Sequence, residues 1–243
     1  MLKLGIIGYG KMGKLIHGLA EKRGFEVVNI VDVDRGGVGK GADVYIDFSV
    51  HYAVLNNITS CSSLGIPLVI GTTGWENDRE KAKQIVEESK NRVIYSSNFS
   101  LGVNLFWQVV SVATKLFGAF PEEYDVMVHE LHHKNKVDSP SGTAKELARI
   151  ITELHPKKKK LCVDALNRKI EPEELHVTST RGGSIPGTHS VVFDGDSDTI
   201  ELTHTARSRE GFARGALLAA EKIRNLPPGF YQFKDILGRP EFR

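Results

Sequence analysis

Leu2-Lys3-Leu4-Gly5-Ile6-Ile7-Gly8-Tyr9-Gly10-Lys11-Met12-Gly13 is the stretch on which the fold turns. An aliphatic, β-branched run predicts a strand over 2–7. Gly8, Gly10 and Gly13 follow in the order Gly-x-Gly-x-x-Gly, and Met12, Leu15, Ile16, Leu19 and Ala20 then recur at helical spacing. The glycines thus fall where a strand turns into a helix. There they let the backbone bend tightly and approach a pyrophosphate, which the amides of the helix start then bind. The motif alone is weak evidence; its place between a strand and a helix gives it weight. Asp32 lies 19 residues beyond Gly13, near the end of the second apolar run. A carboxylate there can accept both hydroxyls of an adenosine ribose. Asp34 competes for that role, and context favours Asp32.

Outward from this stretch the same alternation continues. Strands are predicted over 27–33, 44–48, 68–70 and 93–95, with helices over 50–64 and 76–90. Repeated strand-helix-strand order implies an α/β doubly wound parallel sheet of the Rossmann type. Two polar segments sit at strand carboxyl ends, where such sheets bind ligands: Gly71-Thr72-Thr73-Gly74 and Ser96-Ser97-Asn98-Phe99-Ser100. Ordinary turn chemistry accounts for either one alone.

The later half reads differently. A strand is predicted over 125–130. Ala144, Leu147, Ala148, Ile151 and Leu154 form a helical stripe. Strands over 176–180, 189–193 and 199–206 then follow without helices between them, which suggests an antiparallel or mixed sheet. A last helix over 211–224 stops at the Pro227-Pro228-Gly229 break.

Bulk properties narrow the function. The 243 residues suffice for two modest domains, and 32 basic against 30 acidic side chains leave a net charge of +2. Nothing global therefore points to nucleic acid or membrane. The basic run Lys157 to Lys160 reads as a solvated loop beyond a helix end, because it lacks interleaved aromatics. The apolar stretch 101–118 carries Asn104, Gln108, Ser111 and Lys115 and reads as a buried helix. Cys61 and Cys162 have no pairing or metal-ligand spacing, and residues 1–3 show no signal-peptide pattern, so a reducing cytoplasm is the expected compartment.

The chemistry is concentrated in Glu130-Leu131-His132-His133-Lys134-Asn135-Lys136-Val137-Asp138-Ser139-Pro140-Ser141-Gly142-Thr143-Ala144. Histidine can give or take a proton near neutral pH. Lysine brings a cation for a carboxylate. Ser-Gly-Thr opens the next helical stripe, whose free amides suit an anion. Each residue alone reads more easily as structural, as the scattered His17, His51, His129 and His155 illustrate. Together they suit an anionic substrate that must be protonated.

This segment resembles the signature of the 4-hydroxy-tetrahydrodipicolinate (dihydrodipicolinate) reductases, Glu-x-His-His-x-x-Lys-x-Asp-x-Pro-Ser-Gly-Thr-Ala, at every fixed position. Ser208-Arg209-Glu210-Gly211-Phe212-Ala213 resembles the family's Ser-Arg-x-x-Phe-Ala. The glycine turn departs from the resemblance: it is one residue shorter than the common Gly-x-x-Gly-[Arg/Lys]-Met-Gly. The resemblance implies a dinucleotide-binding domain over 1–98 and 209–243, with an α+β mixed-sheet domain inserted over 99–208 for substrate binding and oligomerisation. It implies NADH- or NADPH-dependent reduction with loss of water in lysine and diaminopimelate biosynthesis. His132 is then the proton donor, Lys136 its catalytic partner, and His133, Gly142 and Thr143 substrate contacts. Gly8, Tyr9, Gly10, Lys11, Met12, Gly13, Asp32, Gly71, Thr72, Thr73, Ser96, Ser97, Asn98, Phe99, Arg209 and Phe212 are expected at the cofactor. No metal is required, and the expected partner is the chain itself, as a homotetramer.

Asp32 opposes a 2′-phosphate while Lys11 and Arg35 attract one, so both cofactors should work, with NADH equal or favoured. The glycine-rich link that holds Arg35 reads as mobile. Two other readings remain open at this point. A different dicarboxylate or amino-acid dehydrogenase would keep the glycine loop and lack the joined histidines and lysine. A non-catalytic dinucleotide sensor would need neither His132 nor Lys136.

Overall fold

A computed structural model describes residues 1–238. The chain divides into two compact units, 1–100 with 210 onward, and 101–209.

The first unit holds a six-stranded sheet in the order β11-β5-β4-β3-β1-β2. Its strands are β1 (Leu2–Ile7), β2 (Phe25–Val31), β3 (Val44–Asp47), β4 (Leu68–Ile70), β5 (Arg92–Tyr95) and β11 (Gly229–Gln232), and all pair in parallel. Side-chain alternation decides which helices cover which face. Leu4, Ile6, Val44, Ile46, Val69 and Ile94 join a core that includes residues of α1 (Lys11–Ala20) and α6 (Glu210–Lys222). Their neighbours Ile7, Tyr45, Leu68, Ile70 and Val93 join the core of α2 (Val54–Ser63) and α3 (Arg79–Glu88) on the other face. Period-two burial on both faces is the mark of a doubly wound sheet. Strand order reverses between β1 and β3, and ligands bind beyond the carboxyl ends of strands at such a point.

The second unit carries α4 (Leu101–Gly118), β6 (Asp125–His132), α5 (Gly142–Leu154), β7 (Lys160–Cys162), β8 (Glu174–Arg181), β9 (Thr188–Asp194) and β10 (Thr199–Thr205). The sheet order is β10-β9-β6-β8-β7, with β6, β7 and β8 parallel and β9 antiparallel to β6 and β10. Val126, Val128, Val177, Val191 and Phe193 on its inner face pack with α4 and α5. Leu147 and Ile151 of α5 are fully buried there, each worth about 1.5–3 kcal/mol.

Several expectations are corrected. β7 and β11 are strands that the sequence reading did not assign: β7 has three residues and begins at the end of the lysine run, and β11 directly follows the proline pair, pairing with β5. The lysine run is not a freely solvated loop. Lys158 is 3% exposed, and its Nζ lies 2.6 Å from Asp125 Oδ1 while donating to Glu174 O at 2.9 Å. Lys157 pairs with Glu122 and Lys160 with Glu173. The glycine-rich link after Asp32 is pinned. Tyr45 Oη accepts from Gly39 N–H and donates to Gly39 O, and Asn29 Nδ2 donates to Gly37 O. Tyr45 fits in the sheet because Gly5 leaves it room: a Cβ at residue 5 would lie 2.0 Å from the Tyr45 ring.

Helix α4 is buried on one face only. Val103, Phe106, Val110 and Ala113 face the core, while Leu101, Leu105, Val109 and Leu116 are 39%, 43%, 52% and 64% exposed. No helix among the described residues is long and apolar enough to cross a membrane.

Candidate active site

The glycine turn belongs to the first unit. Gly8 has φ +84°, and a Cβ on it would lie 2.5 Å from the Phe48 carbonyl. A Cβ on Gly13 would lie 2.1 Å from the Gly8 carbonyl. Only hydrogen fits at these two positions, so α1 starts close against the end of β1. Gly10 precedes the helix without any side-chain cap, and a Cβ there would meet nothing within 4 Å. The first-turn amides of α1 therefore receive no side-chain cap from Gly10. Lys11 is exposed at the first helical position, while Tyr9 and Met12 pack partly onto the core. The Tyr9 hydroxyl shares a 2.6 Å hydrogen bond with His17 Nδ1.

Asp32 is exposed just beyond β2 and accepts from Val33 N–H at 3.0 Å. It exchanges two backbone hydrogen bonds with Arg35, at 3.0 and 2.9 Å. A closed turn thus fixes the Arg35 backbone beside Asp32.

At the end of β3 lies Asp47, a fully buried carboxylate that the sequence reading missed. It accepts from Ser49 N–H at 2.8 Å, Thr72 Oγ1 at 3.0 Å and Asn57 Nδ2 at 2.8 Å. Three donors replace the water it lost. They also lock the loop after β3 to the loop after β4, which places Thr72. Beside them, Phe48 to Tyr52 and Gly71 to Thr73 line a cavity of about 350 Å³. Gly71 is required here too: a Cβ on it would lie 2.2 Å from the Phe48 ring. After β5, Ser96 Oγ accepts from Asn98 N–H and donates to Asn98 O, and Ser97 and Thr73 are exposed. Phe99 is 1% exposed, packed edge-on against Phe48 and tilted against Phe233, so its side chain is a core residue and not a cofactor contact. Arg209 is exposed and Phe212 half-buried.

The second unit holds the signature. Val126, Val128, Glu130 and His132 alternate along the inner face of β6. In register, β8 offers Val177, Ser179 and Arg181, and β9 offers Phe193, Val191 and His189. The inner face therefore changes from apolar to polar toward the carboxyl end of β6, at the start of α5. Glu130, wholly buried, is the centre of the polar end. Its Oε1 accepts from Ser141 N–H at 3.0 Å, Ser179 Oγ at 2.7 Å and Arg181 at 2.7 Å. Its Oε2 lies 3.5 Å from His132 Nδ1 and 3.4 Å from His189 Nε2. Burial alone would raise the Glu130 carboxyl, but the nearby His189 imidazole and the hydrogen bonds from Ser141, Arg181 and Ser179 overcome it and hold the group well below the usual carboxylate range.

His132 is 6% exposed. Burial pushes its imidazolium down to about 4; Glu130 pulls it up, against His189, Lys136 and Arg181. Lys136 Nζ pairs with Asp138 Oδ1 at 2.7 Å, and the His133 backbone N–H donates to Ile185 O at 2.8 Å. Ser141 caps α5, its Oγ accepting from Ala144 N–H at 3.2 Å, which leaves Gly142 and Thr143 in the first turn. A Cβ on Gly142 would meet nothing within 4 Å. Glu130, His132 and His189 also bring three possible metal-ligand atoms within 4.8 Å of one another. The Arg181 guanidinium already neutralises that carboxylate, so the donor set suits a shared proton better than a divalent cation.

The family model described as dihydrodipicolinate reductase, N-terminus, matches residues 2–99, and that described as dihydrodipicolinate reductase, C-terminus, matches residues 102–237. The chain belongs to the dihydrodipicolinate reductase family. A 4-hydroxy-tetrahydrodipicolinate reductase of Christiangramia forsetii is 40% identical over 97% of this chain and 98% of that one. One from Archaeoglobus fulgidus is 38% identical over 94% and 96%. Among solved structures, a dihydrodipicolinate reductase from a Paenisporosarcina species superposes with a TM-score of 0.79 over 98% of this chain and all of that one. At 23% identity it shows the shared fold.

Residues the sequence reading passed over at the site are Asp47, Arg181 and His189, together with Glu130, which was quoted in the signature and given no role; Ser141 was read as part of the carboxylate-binding helix start, not as a partner of Glu130 and His189. The signal for Glu130 was present: it stands two residues before His132 in a strand, hence on the same face.

Proposed function

We infer that the chain reduces 4-hydroxy-tetrahydrodipicolinate to tetrahydrodipicolinate with loss of water, using NADH or NADPH, in lysine and diaminopimelate biosynthesis. The family match over both units supports this, and its relatives are named for that activity. The observation that carries the chemistry is the buried His132 beside the first turn of α5, both tied to one carboxylate.

The glycine turn, whose close backbone approach a Cβ would destroy at residues 8 and 13, fits a dinucleotide pyrophosphate. Asp32 would accept the ribose hydroxyls, with Arg35 fixed nearby for a 2′-phosphate. The segments at Gly71 to Thr73 and Ser96 to Asn98 complete the cradle. Lys11, Arg209 and Phe212 are its outer contacts. The bound nicotinamide supplies the hydride.

His132 supplies the proton, from Nε2, because Nδ1 faces Glu130. Gly142 and Thr143 hold one substrate carboxylate with first-turn amides, and His133 and Lys136 meet the other polar groups. Lys136 reaches them by leaving Asp138. That carboxylate is half exposed, so the pair holds Lys136 by only about 1 kcal/mol or less. The approach of a dianionic substrate also raises His132 toward a protonated state at neutral pH.

A coupled assay with the product of the upstream synthase, read as loss of NADH absorbance, tests the reading. Turnover with NADH or NADPH is expected, and pyridine-2,6-dicarboxylate should compete with substrate. No turnover with either cofactor would sink the proposal. Inhibition that does not compete with substrate would move the carboxylate site away from α5.

Self-association as a homotetramer is part of the same proposal. The inner face of β9 and β10 is covered within one chain: Val191 and Phe193 are fully buried, and Ile200 and Leu202 pack on the same core. Among the surfaces that one chain leaves uncovered are the apolar stripe of α4, Met127 on the outer sheet face, and the edge strand β10. Light scattering at micromolar concentration should give four copies; a monomer would refute this. The unpaired Cys61, its thiol pushed up to about 12 by burial, and the unpaired Cys162 suit a reducing cytoplasm.

A further inference from the structure

We propose that Glu130 is a positioning residue for the reaction: it fixes His132 in the tautomer that carries hydrogen on Nδ1 and couples that imidazole to the substrate cradle of α5. The proposal deepens the reductase reading and rests on it.

The two oxygens of the buried Glu130 carboxylate have different surroundings. Oε1 takes three donors, from Ser141, Ser179 and Arg181, which come from the start of α5 and from β8. These fix the plane of the carboxylate. Oε2 has no hydrogen-bond donor at normal distance and is buried, yet it faces two imidazole nitrogens at 3.5 and 3.4 Å. His132 Nδ1 is likewise buried without another partner. A buried acceptor and a buried ring nitrogen facing each other are satisfied together only if the nitrogen carries hydrogen. That leaves Nε2 as the nitrogen that binds and releases the working proton.

A second observation lies at Nε2 itself. Gly187 has φ +152°, and a Cβ on it would lie 3.0 Å from His132 Nε2. The lack of a side chain at residue 187 thus leaves room beside the outer nitrogen, while the inner one faces Glu130.

The third concerns charge. The charged and titratable groups facing His132 are Glu130 on its own strand, Arg181 on β8, His189 on β9 and Lys136 after β6. Three of the four are cationic or can become so. Glu130 is the single anion among them. A proton donor surrounded by cations and removed from water holds its proton only with such a counter-charge. Glu130 also accepts from Ser141 N–H, and Ser141 Oγ caps α5 and shares a 3.0 Å hydrogen bond with His189. The proton donor and the carboxylate cradle are therefore held by one group, and a displacement of either is felt by the other.

Glu130→Gln is the test variant. Its carbonyl oxygen can still accept from Ser141, Ser179 and Arg181, while the charge facing His132 is lost. We expect kcat at neutral pH to fall about 10- to 100-fold with KM for substrate within about threefold. The reaction needs protonated His132, so kcat falls as pH rises through the apparent pKa of that group. Loss of the anion lowers this pKa, and the alkaline fall should move to lower pH by about one unit or more. Glu130→Asp should restore much of the profile's position. An unchanged profile and kcat in a folded Glu130→Gln protein would overturn the proposal.

If the variant fails to fold, the wild-type protein decides. Nitrogen-15 shifts of its labelled histidines, with His132 assigned by comparison with His132→Gln, should show neutral His132 as the Nδ1–H form. The Nε2–H form would overturn the assignment. That measurement needs no substrate, so it stands even where the coupled assay fails, and a failed assay sinks only the reductase reading.

Discussion

His132→Gln should lower kcat by about 100-fold or more, with KM for the substrate little changed. Glutamine can still donate to Glu130 from its amide and keeps a similar volume in a site that is almost closed to water. What it cannot do is carry a proton to the substrate. The loss therefore falls on the transition state and not on binding. Lys136→Ala should differ, because the lysine supplies charge to the bound dianion: both kcat and KM should suffer. Steady-state rates by NADH absorbance separate the two patterns. A His132→Gln protein with near wild-type kcat would mean that the proton comes from elsewhere, and the most exposed alternative in the cluster is Lys136 once released from Asp138.

Which parts of this site the sequence showed follows from how each is encoded. The glycine turn and the signature are contiguous, so spacing alone displays them. Gly8 and Gly13 are needed for close backbone approach, a demand that only glycine meets. Asp47 was hidden because its partners Ser49, Asn57 and Thr72 come from three segments, and nothing local marks a strand-end aspartate as buried. His189 and Arg181 were hidden by register: each becomes a site residue only when β9 and β8 align them with Glu130 and His132. Glu130 needed no register, only the period of its own strand. The lysine run was misread for a related reason. Each of Lys157, Lys158 and Lys160 has an acidic partner distant in sequence, which composition cannot reveal. Phe99 was misplaced because a segment at a strand end holds both exposed and inward-facing residues, and adjacency to Asn98 does not tell them apart. In α4 the apolar content was read as full burial, whereas one chain covers only half of that helix.

Gly13→Ala should abolish most cofactor use, with a loss of about 100-fold in kcat/KM for NADH. The added methyl would sit 2.1 Å from the Gly8 carbonyl oxygen and 3.3 Å from Ile6 Cγ2. The first of these is backbone and cannot swing aside, so α1 must withdraw from the end of β1 by about 1 Å to restore ordinary contact. Withdrawal carries the first-turn amides away from the pyrophosphate that they are built to meet, and misplacement on that scale is costly in both binding and rate. Substrate-side properties should be spared, because His132, Glu130 and the start of α5 belong to the other unit. Pyridine-2,6-dicarboxylate binding, followed by calorimetry, should therefore change little. Gly18→Ala serves as the control within the same helix. A Cβ at residue 18 meets nothing within 4 Å, so this change should be neutral or stabilise the protein by up to about 1 kcal/mol. Fluorescence titration with NADH and thermal melts of both variants make the comparison. Equal NADH affinity for Gly13→Ala and wild type would show that the dinucleotide does not rest on the α1 amides, and the cofactor cradle would have to be sought at the cavity beside Phe48 and Gly71 alone.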